Sequence, residues 1–139
     1  MKKFEFLEHT ADVKFRAYGK NLKELFENSG SALIDSIADK NSLDLKKKKK
    51  VIKLKSESLE GLIKKFLEEI IFLIESKGMV FYKVENLKVD EKNYRLEGEL
   101  IFLDVENYDF HLDAKAITYN EMFVKKEKGE WVSQVVVDV

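Results

Sequence analysis

The chain of 139 residues has no cysteine and no proline, and only six glycines and two histidines. Without cysteine there is no disulfide, no zinc–thiolate site and no thiol nucleophile. The scattered glycines form neither a G-x-G-x-x-G turn nor a P-loop, so no glycine loop cradles a phosphate. No G-x-S-x-G segment raises a serine into a nucleophile elbow. Neither sign of charge dominates, because 25 Lys+Arg against 26 Asp+Glu leave a net charge of -1. Nucleic acid or a membrane would therefore have to be met by a local patch rather than by the field of the whole molecule. No apolar run reaches the roughly 18 residues of a membrane span, and the start lacks the apolar stretch of a signal peptide. Together these absences predict a cytoplasmic protein.

What is present is a patterned chain. Hydrophobic residues make up 45% and charged residues 37%, and the apolar positions recur with the periods of strands and helices. That predicts one folded domain over 1–139. Phe4 and Phe6 alternate with Lys3 and Glu5, and Val13, Phe15 and Ala17 alternate with Lys14, Arg16 and Tyr18. Both runs read as half-buried strands, the second ending at Gly19. Asn21 with Glu24 makes a capping pair for a helix running to about Ala38, its inner stripe carried by Leu22, Leu25, Phe26, Leu33 and Ile37. Gly30 inside it allows close packing on a sheet.

A polar connection from Asp39 to Leu45 follows. The run Lys46–Lys50 reads as a solvated lead-in to an edge strand, Val51–Lys55, or as an electrostatic contact to RNA phosphates or an acidic protein face. Ser58 caps a second helix of 19 residues with Leu62, Phe66, Leu67, Ile70 and Ile74 at helical spacing and Gly78 as its stop. Phe72 and Leu73 widen its apolar face, so cover on more than one side is expected.

From Val80 the chain reads as β-rich. Val80–Val84 opens one strand, residues 90–93 turn it, and Tyr94–Phe102 return, with Gly98 at a bulge or close approach. A polar loop spans Asp104–Asp109. Leu112, Ala114 and Ala116 alternate with Asp113 and Lys115, then Met122–Val124 forms a strand and Lys125–Gly129 a turn. In the last strand, Trp131–Val137, the run Val135-Val136-Val137 looks buried on both faces. The prediction is an α+β fold: two helices against a mostly antiparallel, mixed sheet of seven or eight strands. The order strand, helix, strand, strand occurs in both halves.

The chemistry concentrates at the two ends. Glu8-His9-Thr10-Ala11-Asp12 is a polar stretch between strands, and Asp138-Val139 close a strand too apolar to be a loose tail. If that strand pairs with the one beginning near Asp12, two side-chain carboxylates and a terminal carboxylate or carbonyl converge. Three hard oxygens suit Ca²⁺ or Mg²⁺ and not zinc. His9 and His111 each lie near carboxylates. Each is a metal ligand or acid–base group, or a hydrogen-bonding residue that fixes a turn. A metal-dependent phosphoester hydrolase using His9, Asp12 and Asp138 is one alternative. An RNA-binding module centred on Lys46–Lys50 is another.

His9-Thr10-Ala11-Asp12, the helix opening Asn21–Phe26, the segment Lys115-Ala116-Ile117-Thr118-Tyr119 and the close Trp131–Val139 together resemble the archease family, in order from residue 4 to residue 139. The resemblance implies one strand-helix-strand-strand module inserted in another. It also implies a non-enzymatic accessory factor of the GTP-dependent tRNA-splicing RNA ligase of the RtcB type, which reaches tRNA through that ligase. Such a factor promotes guanylylation of a ligase histidine and supports multiple turnover. The family's cation, Ca²⁺, maps onto Asp12, Asp138 and Val139. The chain departs from the family pattern around Lys115: Asp113 stands where a Glu is frequent before it, and Asn120 replaces a His after Tyr119.

Overall fold

The computed structural model describes residues 2–8, 12–40 and 46–139. His9, Thr10 and Ala11 of the opening polar stretch, and the 41–45 part of the polar connection, lie outside the described residues. The first two strands, β1 (Phe4–Leu7) and β2 (Val13–Gly19), pair antiparallel with Phe4 opposite Ala17 and Leu7 opposite Lys14. Period-two alternation buries Phe15 and Ala17 completely and turns Lys14, Arg16 and Tyr18 to the other face. Helix α1 (Leu22–Ile37) begins at Asn21, whose side chain accepts from the Glu24 N–H at 2.8 Å. Glu24 reaches back to the N–H of Lys20 at 3.2 Å, one residue before the cap. Nine further elements follow α1 among the described residues, and most were visible in the periodicity.

They are β3 (Ala38–Lys40), β4 (Lys48–Lys55), α2 (Leu59–Lys77), β5 (Met79–Asp90), β6 (Arg95–Asp104), a 3₁₀ turn at Val105–Asn107, β7 (Tyr108–Phe110), β8 (Ala116–Glu127) and β9 (Glu130–Asp138). Ser58 caps α2 by accepting from the Gly61 N–H at 2.9 Å. Gly78 ends that helix in the left-handed region at φ 64°, donating to the carbonyls of Ile74 and Leu73.

Strand order reveals the architecture. One sheet runs β1-β2-β9-β8 and a second runs β4-β6-β5, while β3 and β7 form a separate pair. Every recorded ladder is antiparallel. The sequence β2, α1, β8, β9 therefore folds as strand-helix-strand-strand with spatial order first, third, second. Within it sits β4, α2, β5, β6, with the same arrangement. One module is inserted in the other, and β9 becomes a central strand between β2 and β8.

The modules share a core. Phe26 of α1, Phe66 of α2 and Phe81 of β5 meet edge to face in a chain, with ring centroids 5.6 and 6.1 Å apart. Gly30 makes this approach possible, since an added Cβ would come within 2.8 Å of the Phe81 ring.

The fold class holds, with differences in detail. The expected single sheet is divided into three. The polar loop at Asp104–Asp109 holds the 3₁₀ turn and the start of β7, which pairs with β3; both strands have three residues, too short for any periodicity. The alternation at Leu112–Ala116 does not mark a strand; β8 begins at Ala116, because the chain before it is tied to the end of α1. Phe72 is not covered by a second layer: it is 50% exposed, with the Lys50 ammonium 5.7 Å from its ring centroid, whereas Leu73 is buried. Val135, Val136 and Val137 are each 0% exposed, as the both-faces reading requires.

Candidate functional site

Register brings the chain ends together. In the β2–β9 ladder Val13 lies opposite Val137, and one residue beyond that pair stand Asp12 and Asp138. On its other side Asp138 lies opposite Ala116, and its carbonyl accepts from the Lys115 N–H at 2.8 Å. The segment Lys115–Tyr119 thus starts against Asp138, and the end of β9 lies between it and Asp12. Val139 is half-buried and packs on the core. This fixes the end of β9 in place instead of leaving it frayed.

Asp12 opens onto a cavity of about 350 Å³, lined also by Phe6, Asp35, Ser36 and His111. His111 is placed there by its backbone: its N–H donates to the Ile37 carbonyl at 2.9 Å, and the Leu112 N–H reaches the same oxygen at 3.3 Å. The end of α1 therefore holds the β7–β8 connection against β2. Asp35 was not anticipated. It sits in the last turn of α1, which carries no basic residue, although a helix C-terminus favours a cation there. A carboxylate in that position was the available signal. Lys14 lines the same cavity, and its ammonium lies 3.3 Å from Glu121.

The donor set at the junction fits a hard cation in kind: two carboxylates from adjoining strands and a main-chain or terminal oxygen at Val139, with no sulfur and no imidazole required. Among the described residues, no three His, Asp or Glu side chains come together as a metal-holding group. His9 lies outside them.

The lysine run takes a different place. β4 is an edge strand, as expected, but it starts at Lys48, so Lys48–Lys50 belong to the strand and not to a lead-in. Lys48 pairs with Asp104 at 3.3 Å, Lys49 with Glu99 at 3.3 Å and Lys50 with Glu69 at 2.6 Å. Lys47 lies 4.9 Å from the centroid of Tyr82. Much of the charge that would meet RNA phosphates is matched by the protein's own carboxylates, which favours the edge-strand reading. Among the described residues no helix is long and apolar enough to cross a membrane.

The fold and the junction define an α+β protein built from two nested strand-helix-strand-strand modules, with Asp12 and Asp138 at the end of the ladder that joins β2 to β9. The chain belongs to the archease family: the model of the archease protein family (MTH1598/TM1083) matches residues 4–139. It is 38% identical to the protein archease of Methanosarcina mazei, covering 99% of this chain and 97% of that one. With the protein archease of Pyrococcus abyssi it shares 37% identity over the whole of both chains. The solution structure of Methanobacterium thermoautotrophicum protein 1598 superposes with a TM-score of 0.77 at 28% identity, covering all of both chains. A crystal structure from Thermotoga maritima, described as an archease and possible chaperone, superposes with a TM-score of 0.67 at 25% identity over 96% of this chain and 94% of that one.

Proposed function

We propose that this chain is a non-catalytic accessory protein that activates an RtcB-type, GTP-dependent tRNA-splicing RNA ligase. In this reading it promotes guanylylation of the ligase histidine and sustains repeated turnover, acting on tRNA only through the ligase. The observation that carries the proposal is the adjacency of Asp12 and Asp138 across the β2–β9 register, in a chain that matches the archease family from residue 4 to its end. The absence from the sequence of a thiol, a phosphate loop and a nucleophile elbow supports an accessory role rather than an independent catalyst.

Asp12, Asp138 and Val139 would hold the cation, Ca²⁺ or Mg²⁺. A bound divalent ion would supply local positive charge that neutralises the two carboxylates and can attract phosphate oxygens. The chain's own part is positional. The central strand β9 fixes Asp138, the β2 register fixes Asp12, and the packing of Val139 holds the last residue. The assembled end would then orient GTP, the ligase metal or the nucleophilic histidine. A ligation time course at excess substrate tests the reading. With this protein the cognate ligase should complete many cycles; Asp12→Ala and Asp138→Ala should leave it near a single cycle. Full activity of both variants would make the junction purely structural.

A further inference from the structure

Three of the six large hydrophobic side chains exposed among the described residues cluster around this same end: Phe6 at 46%, Phe110 at 41% and Leu112 at 38%. Phe6 shares the cavity at Asp12 with His111. On the other side of His111, Phe110 and Leu112 flank a shallow depression of about 30 Å³ formed with Ile71 and Ile74. His111 therefore joins an apolar surface to the acidic junction. The segment is held firmly, through the bonds of His111 and Leu112 to the Ile37 carbonyl and through the pairing of β7 with β3. Its side chains are displayed on an ordered backbone, which lowers the entropy lost when a partner is bound.

Acidic residues outnumber basic ones around these side chains, although Lys14 lines the cavity at Asp12 and Lys115 follows Ala114. From Val105 to Ala114 the chain carries Glu106, Asp109 and Asp113, with no Lys or Arg. Asp109 and Asp113 bracket Phe110 and Leu112 and are exposed, and Asp39 stands directly opposite Asp109 in the β3–β7 pair. Asp35 adds a carboxylate on the same side, at the cavity. An apolar patch framed by carboxylates repels a second copy of itself, RNA phosphates and anionic lipid. It complements a protein face with Lys and Arg arranged around an apolar socket. A ligase that holds RNA must carry basic groups along its RNA path.

We propose that Phe6, Phe110 and Leu112, framed by Asp109 and Asp113, form the surface by which this chain docks on the basic, RNA-facing side of its ligase. The inference rests on the activation reading above and adds where and through what chemistry contact is made. Apolar anchors supply the affinity, and the carboxylates supply orientation and rate of encounter.

The test is binding of the full chain to the purified cognate ligase by calorimetry at several salt concentrations. The double variant Phe110→Ala/Leu112→Ala should weaken binding by about tenfold or more while the protein stays folded at the assay temperature, since both side chains are more than a third exposed. Asp109→Lys/Asp113→Lys should also weaken it and flatten its salt dependence. Val51→Ser, exposed on the distant edge strand β4, should bind as the wild type does. Wild-type affinity in both double variants, while the wild type itself binds, overturns this surface and leaves the activation reading standing. A wild type that does not bind the ligase overturns both. Sedimentation showing a wild-type dimer that Phe110→Ala/Leu112→Ala abolishes would assign the patch to self-association and also overturn the proposal.

Discussion

Ser29 Oγ and Ser133 Oγ lie 3.0 Å apart, both fully buried, and join α1 to the central strand β9. Ser29 also donates its hydroxyl proton to the Leu25 carbonyl at 2.7 Å. Having one proton to give, Ser29 must accept from Ser133. The two positions are therefore unequal. Ser29→Ala strands the buried Ser133 hydroxyl and should cost about 1–3 kcal/mol, whereas Ser133→Ala leaves Ser29 satisfied and should cost about 1 kcal/mol or less. Denaturant melts of both variants measure the order; the reverse order would place the proton differently.

Gly30 gives a second stability prediction. Alanine is the better helix former by about 1 kcal/mol, but the new Cβ would press on the Phe81 ring at 2.8 Å. Overpacking costs about 1–3 kcal/mol, so Gly30→Ala should be neutral to destabilising rather than stabilising. Pairing it with Phe81→Leu should recover part of the loss, and a melt in which Gly30→Ala alone raises Tm would contradict this packing.

The turn after β5 carries a pH signature. The Asp90 carboxylate accepts from the Asn93 side chain at 2.9 Å and from the N–H groups of Lys92 and Asn93 at 3.0 and 3.1 Å. Those bonds, led by the one from the Asn93 side chain, hold its pKa below the ordinary aspartate value. A lowered folded-state pKa means stability that is present above the unfolded value and lost as pH falls through the folded one. Asp90→Ala should therefore lower Tm at neutral pH and make the acid limb of the Tm–pH curve shallower. Equal slopes in variant and wild type would remove Asp90 from the acid transition.

Much of this was legible in the sequence because it depends on local periodicity. Both helices, with their caps at Asn21 and Ser58 and the stop at Gly78, follow from spacing and capping chemistry. The three-valine run gave β9 away as a buried strand, and its burial was the reason to join Asp138 to Asp12. What stayed hidden depends on tertiary contact. β3 and β7 have too few residues to show a period. The chain at 111–115 alternates like a strand but is drawn off by the Ile37 carbonyl. Asp35 joins Asp12 only because α1 ends beside β2. The lysines of β4 find Glu69 on α2 and Glu99 and Asp104 on β6, so the sequence showed their charge without its neutralisation.

Cation binding is separable from ligase activity. If Asp12, Asp138 and Val139 hold Ca²⁺, the ion at about one hundred times its Kd should stabilise the native state by about 2.7 kcal/mol. That gain should appear as a rise in Tm on adding Ca²⁺ and disappear with chelator. Asp12→Ala and Asp138→Ala should each suppress the rise, while Asp113→Ala should keep it. A wild type without the shift, or variants that retain it, would move the cation elsewhere.

The central claim concerns the ligase. The most direct measurement is the rate of guanylylation of the cognate RtcB-type ligase by GTP, in single turnover, with and without this protein. The account predicts a clear acceleration with the wild type, strongly reduced by Asp12→Ala or Asp138→Ala at unchanged cation-free Tm. An identical rate with and without the protein would contradict it.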